Sequence, residues 1–433
     1  MTNDTTGTTR TESTDETEHP ASVIAGLRAH AHELGTCDPT TDIADDALPE
    51  EIGDAAVVAL GEGTHGTREF FRLKHRLLRW LVTEVGVRTF AMEANAPEAR
   101  ALDEYVVHGR GEPDAGLADL YFWTWQTDEL LALVEWLRGF NEGRPLDDRV
   151  RFRGFDAQYT QGAVDALLAE FGDELPPALT DALHLIGDDG TRPANDDRVE
   201  ARIDTAERVI PRVRDALGSD GQARRPLRVI EQATAYKRTL VDWEAADEGS
   251  DAESAAMREA LRVRDRVMAE NVARIEERAD GPVAIWGHDA HVNRDRHAYR
   301  AFEVAAPSMG SQLAAWYGDD YYAVGFAFGR GSFQAIDRTG DGRGLTSFEL
   351  SDPVPGTVES ALDEAGVGTA LLDLRRGGGD PRLREWLTAP RERFSVGATY
   401  DGDPTGYLTA YSVGEAFDAL CFVPGTTRAR PLD

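Results

Sequence analysis

Six residues in a row, Ala55-Ala56-Val57-Val58-Ala59-Leu60, are apolar, and the run stops at Gly61-Glu62-Gly63-Thr64-His65-Gly66. A short run with no polar alternation describes a strand covered on both faces, the habit of a parallel sheet packed between helices. Strand character recurs at 87–93, at 150–155 ending on Asp156, at 282–286 just before Gly287-His288-Asp289-Ala290-His291, and at 321–328. Shorter candidates lie near 347–350, 370–373 and 419–423.

Helical patterns fill the gaps. One fits 21–34, and a second, with Thr67 placed to cap it, runs to about residue 85 and completes a βαβ unit with the strand at 87–93. A third covers 128–141 behind the aromatic stretch Tyr121-Phe122-Trp123-Thr124-Trp125. From 161 to 278 the chain is charged, alanine-rich and helical almost throughout, with acidic joints at Gly187-Asp188-Asp189-Gly190 and at 246–251. The expected architecture is therefore α/β over residues 21–433, a central largely parallel or mixed sheet flanked by helices, with 161–278 a helical insertion or lid. Residues 1–20, rich in Thr, Asp, Glu and Ser, read as a disordered acidic tail.

Charge narrows the setting. Asp and Glu number 78 against 46 basic residues, a formal net charge of -32, and Lys74 and Lys237 are the only lysines. Such self-repulsion is screened at molar salt, where the Debye length falls to about 3 Å, so the composition points to a halophilic protein of a high-salt cytoplasm. Nucleic acid is disfavoured as a partner, because the densest basic stretch, Arg224-Arg225-Pro226-Leu227-Arg228, is too short to form a stripe. Cys37 and Cys421 are too few for a disulfide framework or a thiolate metal cage. No signal peptide and no apolar stretch of spanning length is present, which argues against a membrane and for the cytoplasm. Nothing in the pattern bears on oligomeric state.

The chemistry gathers where the strands end. Glu62 and His65 follow the first strand, Glu93 ends the second, Asp156 the third, and His288 follows the fourth. In open α/β sheets ligands bind beyond the carboxyl ends of the strands, so these side chains are expected to share one crevice. Lys74 falls four residues after Phe70 and three before Leu77, on the apolar stripe of its helix. An inward ammonium needs a carboxylate, and Glu62 and Glu93 are the candidates. Trp286, Trp123 and Trp125 read as core or pocket wall; His75, His108 and His297 have no such context and read as surface or packing residues.

Imidazole and carboxylate with no obvious cysteine or serine nucleophile suit activation of water. Ala306-Pro307-Ser308-Met309-Gly310 imitates a nucleophile elbow only weakly. His288 and His291 with His65, Glu62 and Glu93 also offer enough donors for zinc or manganese, although a cationic Lys74 nearby would oppose a divalent ion. No phosphate loop or dinucleotide fingerprint is present. A noncatalytic protein holding haem, a metal or a small polar ligand in the same crevice is the remaining alternative.

The segments Leu60 to Gly66 with Glu69, Phe90-Ala91-Met92-Glu93-Ala94, 136–141, Gly154-Phe155-Asp156, 286–291 and Met309-Gly310 together resemble the erythromycin esterase family. The resemblance implies an α/β core with helical additions and a hydrolase, acting on an ester or a lactone such as a macrolide, that activates water without a metal or other cofactor. By this resemblance His65 is the general base and Glu62 and Glu93 are acidic site residues. His288 and His291 would stabilise charge or bind the ester carbonyl, and Lys74 stands where a basic site residue is expected. Asp289 departs from the asparagine common at its position.

Overall fold

The computed structural model describes residues 19–44, 48–187, 197–218, 224–299, 303–339 and 344–432. The tail read over 1–20 lies almost wholly outside the described residues, as do residues 188–190 of the first acidic joint. The strands are β1 (Ala31–Glu33), β2 (Val57–Leu60), β3 (Thr89–Asn95), β4 (Arg151–Asp156), β5 (Val283–Trp286), β6 (Arg296–Tyr299), β7 (Val304–Pro307), β8 (Tyr321–Asp337), β9 (Leu345–Leu350), β10 (Ala370–Asp373), β11 (Pro390–Phe394), β12 (Thr399–Tyr400), β13 (Leu408–Ser412) and β14 (Ala419–Thr426).

Ten of them form one mixed sheet in the order β1-β10-β14-β8-β2-β5-β3-β4, with β9 and β12 also pairing to β8. From β14 to β4 every neighbour is parallel, and β10 and β1 close that edge antiparallel. β2 and β3 are not neighbours, contrary to the simple βαβ reading: β5 lies between them, with Leu60 and Met92 both in register with Trp286. This insertion sets the Gly61–Gly66 loop beside the Gly287–His291 loop, although more than 200 residues separate them in sequence.

The apolar runs are continuous because both sheet faces are covered. Successive side chains of a strand point to opposite faces, so Val58, Leu60, Phe90, Met92, Ala284 and Trp286 enter one core while Val57, Ala59, Ala91, Val283 and Ile285 enter the other. The helix Arg68–Trp80 packs on the first face through Phe70, Leu73, Leu77 and Leu78. It continues as a π turn, Leu81–Val85, that stops at Gly86, whose φ of 87° favours glycine. Thr67 does not cap this helix by its side chain; its hydroxyl bonds that of Thr64.

The sequence 21–34, read as one helix, divides into a helix, Ala21–Ala29, and edge strand β1. Within 161–278 the described residues form five longer helices, Gln161–Phe171, Pro177–Ile186, Asp197–Leu217, Arg224–Glu244 and Asp251–Glu276. The first four share a core of their own, including Leu167, Leu183, Val213 and Ile230. The fifth lies against the sheet, with Met268, Ala269 and Val272 in the second core. Among the described residues no helix is long and apolar enough to cross a membrane.

Candidate active site

The loop after β2 turns back toward the helix Arg68–Trp80, so Glu62, His65 and Lys74 meet within twelve residues of sequence. His65 Nδ1 lies 2.6 Å from Glu62 Oε1. The other carboxylate oxygen, Oε2, accepts from Lys74 Nζ and, at 3.0 Å, from the indole N–H of Trp286. Of the two carboxylates available to Lys74, Glu62 is the one it bonds. The ammonium is 0% exposed and stands 3.6 Å from the centre of the Trp286 ring. Burial pushes it down to about 8, against the pull of Glu62, Asp289 and Glu93. With Nδ1–H donated to Glu62, His65 keeps the lone pair of Nε2 for other work.

The loop after β5 opens a single helical turn, Asp289–Val292. His288 faces His65, with ring centres 4.7 Å apart. Both its nitrogens are engaged: Nδ1 accepts from Ala290 N at 3.2 Å and Nε2 lies 3.2 Å from the Val396 carbonyl. Burial, with His65 adding to it, holds this imidazole well below its usual range and therefore neutral. Glu93 ties the strand ends together, accepting from His288 N through Oε2 at 2.8 Å and from Arg264 through Oε1 at 2.7 Å. Burial alone would raise Glu93, yet His291, Arg264 and His65 hold it well below the carboxylate range.

Arg264 comes from the helix Asp251–Glu276, within the segment read as insertion or lid. Its Nη2 reaches Asp156 Oδ2 at 2.8 Å as well as Glu93, Nε reaches the same Asp156 oxygen at 3.3 Å, and Nη1 donates to His291 Nε2 at 3.0 Å. The next residue, Asp265, bridges two imidazoles, Oδ1 to His291 Nδ1 at 2.9 Å and Oδ2 to His297 Nδ1 at 3.0 Å, while Met309 N donates to Oδ1 at 2.7 Å. Burial pushes His291 down, but Asp265 and Glu93 more than offset it and hold the ring above its usual value. The guanidinium N–H aimed at Nε2 nevertheless needs a lone pair there, so in this arrangement Nε2 accepts and the ring is neutral, its Nδ1–H donated to Asp265. His297 is thus part of the cluster and not the isolated residue its sequence context indicated.

Asp265, His291 and His297 bring three donor atoms within 4.8 Å of one another, which is the cluster with metal-ligand spacing among the described residues. It differs from the donor set expected from sequence. The atoms that face each other already share imidazole-to-carboxylate hydrogen bonds, and the Arg264 guanidinium lies beside them. The trio therefore fits a hydrogen-bonded charge network better than a metal cage.

Beneath the first loop, Asp289 is packed so closely that a Cβ on Gly61 would stand 2.0 Å from its Oδ1. Its carboxylate meets Arg393 Nη2 at 3.0 Å and Phe326 N at 3.2 Å, and Glu359 flanks the same guanidinium at 3.5 Å. Arg393, unmarked in the sequence, is what makes the aspartate tolerable here. Burial still pushes Asp289 up to about 6. Ser308 is no nucleophile elbow: its buried hydroxyl donates to Asn293 O and caps the helix Met309–Tyr317.

His65, Glu93, His288, His291 and Arg264 line one cavity of about 740 Å³, walled further by Trp123, Trp125, Tyr236 and Trp243. Glu62, Lys74 and Asp156 lie behind that wall as supports. Trp125 sets its ring edge-on to His65 at 6.0 Å, and its buried indole N–H has no partner among the described residues. Arg264 and Asp265 were missed by sequence reasoning, yet a signal existed. Met257, Leu261, Arg264, Met268 and Val272 recur at helical spacing, so the argument that turned Lys74 inward applies equally to Arg264.

A profile of the erythromycin esterase family matches residues 82–426. The chain is 26% identical over 356 residues to erythromycin esterase type II of Escherichia coli, covering 76% of this chain and 83% of that one. A Bacillus cereus protein of known structure shares the fold with a TM-score of 0.78 at 24% identity, over 95% of this chain and 98% of its own. A mutant of the erythromycin esterase EreC, in its open conformation, does so with a TM-score of 0.64 at 19% identity, over 90% and 96%. Motifs, fold and profile agree, and the chain belongs to the erythromycin esterase family.

Proposed function

We propose that this protein hydrolyses a carboxylic ester or lactone by direct attack of water, with His65 as the general base. The observation that carries this reading is the 2.6 Å bond from His65 Nδ1 to Glu62, which fixes the tautomer and leaves Nε2 free in a ring that is 12% exposed and lines the cavity. Nε2 takes a proton as the water oxygen bonds to the carbonyl carbon, and the carbonyl π pair moves onto oxygen. Collapse of that tetrahedral species breaks the bond to the alkoxy oxygen, which takes the proton from the His65 imidazolium and leaves as the alcohol. Glu62 stabilises the transient cation, and Lys74 and Trp286 hold Glu62 in place.

His288 and Glu93 serve this scheme as the wall that places His65. To donate to a substrate carbonyl, His288 Nε2 would first have to release Val396 O. The cavity lies in the size range of drug-sized ligands, roughly 300–1,000 Å³, and its aromatic wall favours a large, partly apolar substrate. A macrolide lactone is the substrate class that family membership brings to the test.

Turnover of an aryl ester and of a macrolide, at low and at molar salt and with and without a chelator, tests the reading against His65→Ala. Loss of turnover in the variant and indifference to chelator are expected. Undiminished turnover in His65→Ala would remove the base assignment. Chelator inactivation would transfer the chemistry to a metal, and tight binding without turnover would make the crevice a ligand carrier.

A further inference from the structure

We propose that Arg264 is a catalytic residue that donates the hydrogen bond stabilising the oxyanion formed from the substrate carbonyl. The inference rests on the hydrolytic reading above and adds the electrophilic half of the reaction. Negative charge developing on the carbonyl oxygen needs a donor already aimed at it before the reaction begins.

The two donors favoured by the sequence are both spent. Lys74 is 0% exposed, sealed under Glu62 and the Trp286 ring, and takes no part in the cavity wall. His288 gives its Nε2 to the Val396 carbonyl. His291 has Nδ1 on Asp265 and receives an Arg264 N–H at Nε2.

Arg264 lines the cavity and its side chain is 18% exposed. A guanidinium carries five N–H donors. Here the Nε–H and one Nη2–H go to Asp156, the other Nη2–H to Glu93 and one Nη1–H to His291. The second Nη1–H has no partner among the described residues, which makes it the donor left for a ligand. Two carboxylates, Asp156 and Glu93, hold the planar fork, so little reorganisation is needed when charge appears. The geometry places this group across His288 from the base: Glu93 joins Arg264 to the His288 backbone, and the His288 ring lies against His65. No proton is transferred from Arg264; its N–H bond to oxygen strengthens as the carbonyl π pair moves onto oxygen and relaxes when the π bond re-forms.

The test measures kcat and KM for an aryl ester and the affinity of a tetrahedral aryl phosphonate in Arg264→Gln, Arg264→Lys and Trp125→Phe. For Arg264→Gln the expected result is a roughly 100- to 1,000-fold loss in kcat. Little change in KM and a matching fall in phosphonate affinity should accompany it. Millimolar guanidinium should restore part of the rate to Arg264→Ala. Arg264→Lys keeps the buried carboxylates paired and decides the matter by the same two measurements if the Gln variant does not fold. Unchanged phosphonate affinity, a loss confined to KM, or the full loss appearing in Trp125→Phe instead would each overturn the assignment. His65→Ala separates the two ideas: its inactivity beside active Arg264 variants leaves the base in place and removes only the donor.

Discussion

Two buried carboxylate networks stand side by side at the carboxyl edge of the sheet, and they were assembled in opposite ways. Glu62 meets His65 and Lys74 within one loop and the first two turns of one helix, with Trp286 coming from afar. Glu93 meets Arg264 and His291, and Arg264 brings in Asp156, so the network draws on four separate segments spread between β3 and the loop after β5. The first network has one carboxylate serving three donors, so no member has a substitute. The second has three carboxylates, Glu93, Asp156 and Asp265, around Arg264, His291 and His297, so Arg264 keeps Glu93 when Asp156 is lost and His291 keeps Glu93 when Asp265 is lost. Local construction here goes with fragility, and distributed construction with redundancy.

The sharpest way to break that comparison is to neutralise one acid in each. Glu62→Gln unties His65 and strands a buried ammonium, so kcat should fall roughly 100- to 10,000-fold. Stability, read by urea denaturation, should fall by about 3–5 kcal/mol. Asp156→Asn leaves Arg264 on Glu93 and should cost about 1–3 kcal/mol, with a smaller loss of rate. Equal losses in the two variants would end the distinction.

Asp289, beneath both networks, sharpens it through pH. Its folded pKa of about 6 exceeds the unfolded value near 3.9, so its contribution to stability is full below about pH 4 and is lost as pH rises through 6. Asp289→Asn should flatten the stability profile across that window by up to about 3 kcal/mol. A profile of unchanged slope would show that Arg393 keeps the carboxylate ionised throughout.

Lys74 makes a kinetic counterpart. Its ammonium is charged below about 8, so loss of the proton above that pH removes the counter-ion of Glu62 and should give the rate an alkaline limb. Lys74→Arg should move that limb up by about one unit or more, because a guanidinium holds its proton there. A limb that stays in place belongs to another group. The smallest effect is expected where neither network reaches: Arg262→Ala breaks an exposed pair with Glu259 and should change stability by no more than about 0.5 kcal/mol.

How much could be read in advance follows the same division. Glu62, His65 and Lys74 were each legible from a strand end or a helical stripe, but spacing left Glu62 and Glu93 both open as the partner of Lys74, and only the structure selects Glu62. Glu93, Asp156 and His288 were legible as strand-end residues, although their partners were not. Arg264 escaped because its helix was read as cover for the sheet; helical spacing names the inward face without naming what it faces. His297 and Arg393 had no local signal, since each is set in place by a short strand outside the parallel core, β6 and β11.

The amino-acid sequence by itself determined a sheet covered on both faces, the family, the strand-end positions of Glu62 and His65 and the inward turn of Lys74, because apolar runs and helical periodicity act over a few residues. Tertiary structure alone decided that β5 slips between β2 and β3, that Lys74 is sealed from the cavity, and that Arg264 takes its place at the wall. Those outcomes depend on strand order and on which helix packs over which strand end. Both are settled by long-range burial, and no local pattern encodes them.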